Sequence, residues 1–130
     1  MVKSLSVFLI ILAVAGCRGN KKPDSIYIED PEKGEALFKS VGCAACHSTS
    51  GEKRYGPSLN AIFDKEVMVI RNGTNYTVRV DREYILRSLK DPGFETVANF
   101  QKRKMPHLNL TREEIDYLVD YIIFINKNSQ

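Results

Sequence analysis

Apolar residues recur at helical spacing near the end of the chain. In "LTREEIDYLVDYIIFIN", Ile115, Leu118, Val119, Ile122 and Ile125 fall three and four apart, with Tyr121 and Phe124 alongside. Thr111 precedes the run and Glu114 follows it by three, the pattern of a capping box, so a helix is expected to open there. A second helical pattern begins near Asp30, a candidate N-cap, with Pro31 at the first helical position and Glu32 in the first turn. It runs to about Ser40 and puts Gly34, Leu37, Phe38 and Val41 on one face. Glycine inside a helix costs about 1 kcal/mol relative to alanine, which makes sense if another helix crosses closely at Gly34. Asp81 caps a third stretch, "REYILRSLKD", which Pro92 stops.

Between these helices the period changes. "EVMVIRNGTNYTVRV" holds two β-rich runs around Asn72-Gly73, the pair that best suits a two-residue hairpin turn with φ > 0 at both positions. Met68 lies in the first run and reads as a packing residue. "GFETVANFQKRK" reads as loop with one helical turn. There is no internal repeat and no low-complexity segment.

The first residues follow another logic. "MVKSLSVFLIILAVAGC" has a basic start at Lys3, an apolar run from Leu5 to Val14 and small residues before Cys17. A membrane span needs roughly 20 apolar residues, so the run reads as a secretory signal over residues 1–16. Its ending, "VAGC", resembles the bacterial lipobox. That resemblance implies cleavage before Cys17, a lipid on its sulfur, and a membrane-anchored lipoprotein on the periplasmic or outer-surface side. Residues 17–29, polar and carrying Pro23, read as a tether. The stretch from Arg18 to Glu29 would reach roughly 20 Å on average. Residues 30–130 remain as one domain.

Composition narrows the possibilities. With 43% hydrophobic and 27% charged residues the chain is no disordered tail. A formal net charge of +3 is far from the strongly basic balance that nucleic-acid binding requires, and no nucleic-acid role is expected. Of three cysteines, Cys17 is accounted for by lipid, which leaves Cys43 and Cys46 as a close pair in an exported protein.

That pair sits in "CAACH", and three chemistries compete for it. Structural zinc wants four ligands, commonly two separated pairs, and this chain offers one pair and two histidines. A redox dithiol belongs at the start of a helix in a βαβ setting, whereas here a helix precedes the pair. Covalent attachment of one c-type haem fits best. One helical turn presents both sulfurs to the two vinyl groups of a porphyrin, and His47 then lies beneath the iron as a ligand. A buried haem would also thicken a core poor in aromatics and without tryptophan. A metal-bound histidine usually donates its other N–H to a fixed acceptor. The Pro57 carbonyl, in "GPSL", is the expected acceptor.

"CAACH", "GPSL" and "MPHLNLTREEIDYLVDYI" together resemble class I cytochromes c, from Asp30 to about Asn126. "VRVDREYILRSLKDPGF" looks particularly like the cytochrome c domain fused to subunit II of some haem–copper oxidases. No copper-binding domain accompanies it here, and the lipid signal marks a free-standing version. The resemblance implies an all-α class I cytochrome c fold, with the β-hairpin as an insertion. Gly34 and Phe38 of the first helix would meet Leu118 and Tyr121 of the last.

The resemblance also implies Met105, in "KMPHL", as the second axial ligand, with Pro106 helping to hold its loop. A thioether raises the reduction potential, and two filled axial positions suit electron transfer rather than catalysis. His107 is the rival ligand and otherwise a solvated loop residue. Lys53, Arg54, Lys102, Arg103 and Lys104 flank the two motifs. In such a fold they border the haem edge, where they could steer the protein to an acidic partner. The expected role is an electron carrier, not an enzyme. It would take electrons from a quinol-oxidising complex and pass them to a terminal oxidase. A haem enzyme or gas sensor with a labile sixth ligand, and a dedicated subunit of a larger dehydrogenase or oxidase, are the alternatives.

Overall fold

A computed structural model describes residues 30–128. The signal segment, Cys17 and the tether up to Glu29 lie outside the described residues. The first helix, α1 (Pro31–Ser40), begins as its cap predicts, with the Asp30 carboxylate accepting from the Lys33 amide at 3.1 Å. A single turn, α2 (Cys43–Cys46), follows. Strands β1 (Glu66–Arg71) and β2 (Thr74–Arg79), helix α3 (Arg82–Lys90), the short strand β3 (Thr96–Val97) and the long α4 (Arg112–Lys127) complete the chain. Asp81 caps α3 by accepting from the Tyr84 amide at 2.8 Å. Thr111 and Glu114 exchange both bonds of a capping box at the start of α4.

The crossing of α1 and α4 rests on Gly34. A Cβ there would stand 2.5 Å from the Tyr117 carbonyl oxygen and 2.5 Å from the Tyr121 Cβ, so only glycine lets the helices approach so closely. Phe38 and Tyr121 meet with ring centroids 5.5 Å apart, and Leu118 is fully buried in the same core. Tyr117, which helical spacing did not single out, makes the tightest approach to Gly34 along with Tyr121. Along α4, Ile115, Leu118, Val119 and Ile122 are buried as expected. Ile123, Asp120 and Asn126 are buried too, while Phe124 is exposed, so the helix is covered over more than one stripe. Arg82 of α3 pairs with the buried Asp120.

The hairpin has the predicted register. Arg71 faces Thr74, which leaves Asn72 and Gly73 as the turn, with φ of 48° and 80°. The segment read as loop differs. Its helical turn is present at Ala98–Phe100, but Thr96–Val97 also pairs antiparallel with β1, with Val97 opposite Val69. The all-α expectation therefore becomes four helices with a small three-stranded sheet, in the order β2-β1-β3. A two-residue strand has no period to detect. What holds it is Glu95, almost fully buried, which accepts from Arg71 at 2.6 Å and Arg87 at 2.7 Å. Met68 does not pack as expected: strand alternation turns it outward, 52% exposed, while its neighbour Val69 is completely buried.

Candidate haem site

The two cysteines and His47 are brought together by one turn of helix. The His47 amide bonds the Cys43 carbonyl at 2.9 Å, closing α2, and the chain then turns extended. Both cysteines are half-buried, make no disulfide and lie on the wall of a cleft. Burial pushes the Cys43 thiol up from its ordinary value.

His47 makes the hydrogen bond expected of it. Its Nδ1 lies 2.8 Å from the Pro57 carbonyl oxygen. A carbonyl only accepts, so Nδ1 carries the proton and Nε2 keeps its lone pair for a metal. The loop that offers this carbonyl is bound to the chain on both sides of His47. The Gly56 amide bonds the Cys46 carbonyl and the Leu59 amide bonds the Ser48 carbonyl, each at 2.8 Å. Gly56 lies flat against the imidazole: a Cβ would stand 2.5 Å from Cε1 and 2.9 Å from each ring nitrogen. Burial lowers the proton affinity of His47, against a smaller opposing effect of the Pro57 bond, and favours the neutral ring that a metal needs.

The cleft has a volume of about 540 Å³, walled by Phe38, Leu59, Val80, Ile85, Leu118 and Ile122 among others. Protein interiors are close-packed, and a hollow of this size at the centre of a small core is the cradle of a large apolar group. Met105 packs half-buried against the core and lines the same cleft, as do Pro106 and Leu108. His107 is exposed and does not line it. Among the described residues no cluster of three or more His, Cys, Asp or Glu side chains is placed to hold a metal, so zinc finds no ligand set. Two thiols on one turn, an imidazole with a free nitrogen and an apolar cleft are the donor set and shape that haem requires.

The model of one protein family, cytochrome c, matches residues 31–123. The chain belongs to the cytochrome c family. A search among curated proteins returned no match. The cofactor of this cytochrome is c-type haem, covalently bound.

The basic residues around the cleft of the cytochrome divide into two kinds. Lys53, Lys102 and Lys104 are exposed. Arg54 and Arg103, also exposed, are committed to holding loops. Arg54 donates to the Ala44 carbonyl at 2.6 Å and pairs with Glu52 at 2.8 Å. Arg103 donates to the carbonyls of Arg54 and Tyr55 at 2.8 and 2.7 Å, with its guanidinium over the Tyr55 and Phe100 rings. Sequence reasoning passed over Gly56, Glu95 and Arg103 as structural parts of the site. Gly56 could have been found from its place beside Pro57; nothing in the spacing points to the others.

Proposed function

We propose that this protein is a lipid-anchored monohaem electron carrier. Cys43 and Cys46 would hold the porphyrin, and His47 and Met105 would ligate its iron. Haem supplies a one-electron couple when bound. The chain supplies the rest: burial keeps His47 neutral while the Pro57 carbonyl fixes its ring, Met105 offers a soft thioether, and the apolar cleft excludes water. Two protein ligands leave no position for a reacting molecule, which favours transfer over catalysis. The observation that carries this reading is the His47–Pro57 hydrogen bond, which leaves Nε2 as the free donor of a ring that lines the same cleft as Met105.

The lipid on Cys17 would keep the domain at a bacterial membrane, on the periplasmic or outer-surface side. There it would pass single electrons from a quinol-oxidising complex to a terminal oxidase. Lys53, Lys102 and Lys104 form the part of the basic rim best placed to meet an acidic partner, with Arg54 and Arg103 shaping the surface beneath them. The test is the absorbance spectrum of the exported protein before and after dithionite, with carbon monoxide added to the reduced form. A low-spin spectrum that carbon monoxide does not alter supports the carrier. A high-spin ferric spectrum with rapid carbon monoxide binding would instead show an open iron, as in a haem enzyme or gas sensor.

A further inference from the structure

The side chain of Asn126, 4% exposed near the end of α4, is tied to a loop more than sixty residues away in sequence. Its Oδ1 accepts from the amides of Ile62 at 2.7 Å and Phe63 at 3.0 Å. Its Nδ2 donates to the Leu59 carbonyl at 2.8 Å and, within its own helix, to the Ile122 carbonyl at 2.7 Å. Two donors and two acceptor positions are thereby all used, and the pattern admits only one orientation of the amide. Asn126 also lies outside the stretch that the family model matches, residues 31–123.

The loop it holds is under strain. Ala61 has a φ of 55°, a left-handed conformation that alanine adopts reluctantly, and it stands between Leu59 and Ile62, both held by Asn126. Such a residue persists only where its surroundings over-determine it, and three hydrogen bonds from a buried amide to this loop do so. The same loop leads directly to the haem ligand. The peptide groups of Leu59 point both ways: its carbonyl accepts from Asn126, while its amide donates to the Ser48 carbonyl, next to His47. Pro57, whose carbonyl fixes the imidazole, lies two residues before Leu59.

We propose that Asn126 is a positioning residue for His47, clamping the strained 59–63 loop so that the Pro57 carbonyl stays on the imidazole Nδ1–H. This rests on the assignment of His47 as a haem ligand. A shorter, firmer bond to Nδ1 makes the ring a stronger donor and favours ferric iron. Loosening the clamp therefore raises the reduction potential, although Asn126 touches neither the histidine nor the cleft.

The test compares haem-loaded wild type with Asn126→Leu, which keeps the bulk and removes the hydrogen bonds, and with Asn128→Ala as a control on the same helix end. Among the described residues the Asn128 side chain bonds only the Phe124 carbonyl, and it is exposed. In wild type the Ile62 and Phe63 amides should exchange as slowly as those in the middle of α4. In Asn126→Leu they should exchange on the order of 10- to 100-fold faster, with a higher potential and a shifted His47 ring-proton resonance. Adding Ala61→Gly, which relieves the strain, should restore part of both. Asn128→Ala should change neither. Should Asn126→Leu fail to fold, Asn126→Asp keeps the acceptor for both amides and still loses the bond to Leu59, so the shifts in potential and resonance should remain. Wild-type amides at Ile62 and Phe63 that exchange like open loop would overturn the inference. So would a variant whose exchange rises while its potential and ring resonance stay put, since Asn126 would then be structural only. Wild type without thioether-linked haem would defeat the underlying assignment instead.

Discussion

The two walls of the cleft are built differently. On the His47 side the chain is laced: the imidazole bonds Pro57, the flanking loop bonds Cys46 and Ser48, and Asn126 ties the next turn to α4. On the Met105 side, from Lys104 to Leu110, no backbone hydrogen bond forms among the described residues. That segment is held by packing of Met105 against the core and, at its start, by Arg103 reaching the Arg54 and Tyr55 carbonyls. His47 is thus set in place by the polypeptide alone. Met105 relies on packing and on a bridge from the first wall. Exchange of an axial ligand, where it happens, should therefore begin at Met105.

The largest effect should come from removing the common anchor. Cys43→Ser with Cys46→Ser should yield protein whose pigment acidified acetone extracts, whereas wild-type pigment stays on the chain. Gly56→Ala strikes the laced side next. Its new Cβ would stand within 2.5 Å of the imidazole, so the ring must turn from Pro57. Overpacking of this kind costs about 1–3 kcal/mol. Denaturant unfolding should show that loss, and electron paramagnetic resonance a second ferric species.

Arg103→Ala cuts the bridge between the walls. It should leave His47 undisturbed and make Met105 easier to displace, read as several-fold tighter binding of added imidazole to ferric protein. Equal imidazole affinity would mean that the Met105 segment needs no bridge. Thr111→Ala, at the start of α4 just past the Met105 segment, should cost about 1 kcal/mol through the lost N-cap. The Thr111 amide and hydroxyl hold the Glu114 carboxyl below its usual range. Its contribution is thus present above the unfolded carboxylate value and lost as pH falls through the folded one. The difference in Tm between wild type and Thr111→Ala should shrink in acid.

What the sequence disclosed followed physical range. Caps, periodicity and the Asn-Gly turn are local, and α1, α3, α4 and the hairpin appear where those signals lie. "CAACH" is local too, because its chemistry needs three side chains on one turn. The Pro57 bond was legible because proline marks a loop near the motif. Partners distant in sequence were not. Glu95 and its two arginines, and Asn126 reaching Leu59, are set by tertiary packing and leave no period or motif; Gly34 did signal the close helix crossing, though not that Tyr117 shares it. Charge was only half informative: "KRK" shows cations, but not that Arg103 is already engaged by two carbonyls.

The proposed ligation of the iron by Met105, together with the chain-fixed His47, is tested most directly in the near-infrared spectrum of the ferric protein. A weak sulfur-to-iron charge-transfer band should be present in wild type and absent from Met105→Ala, with the pigment still covalently attached. A band that survives Met105→Ala, or that is missing from wild type, would contradict the account.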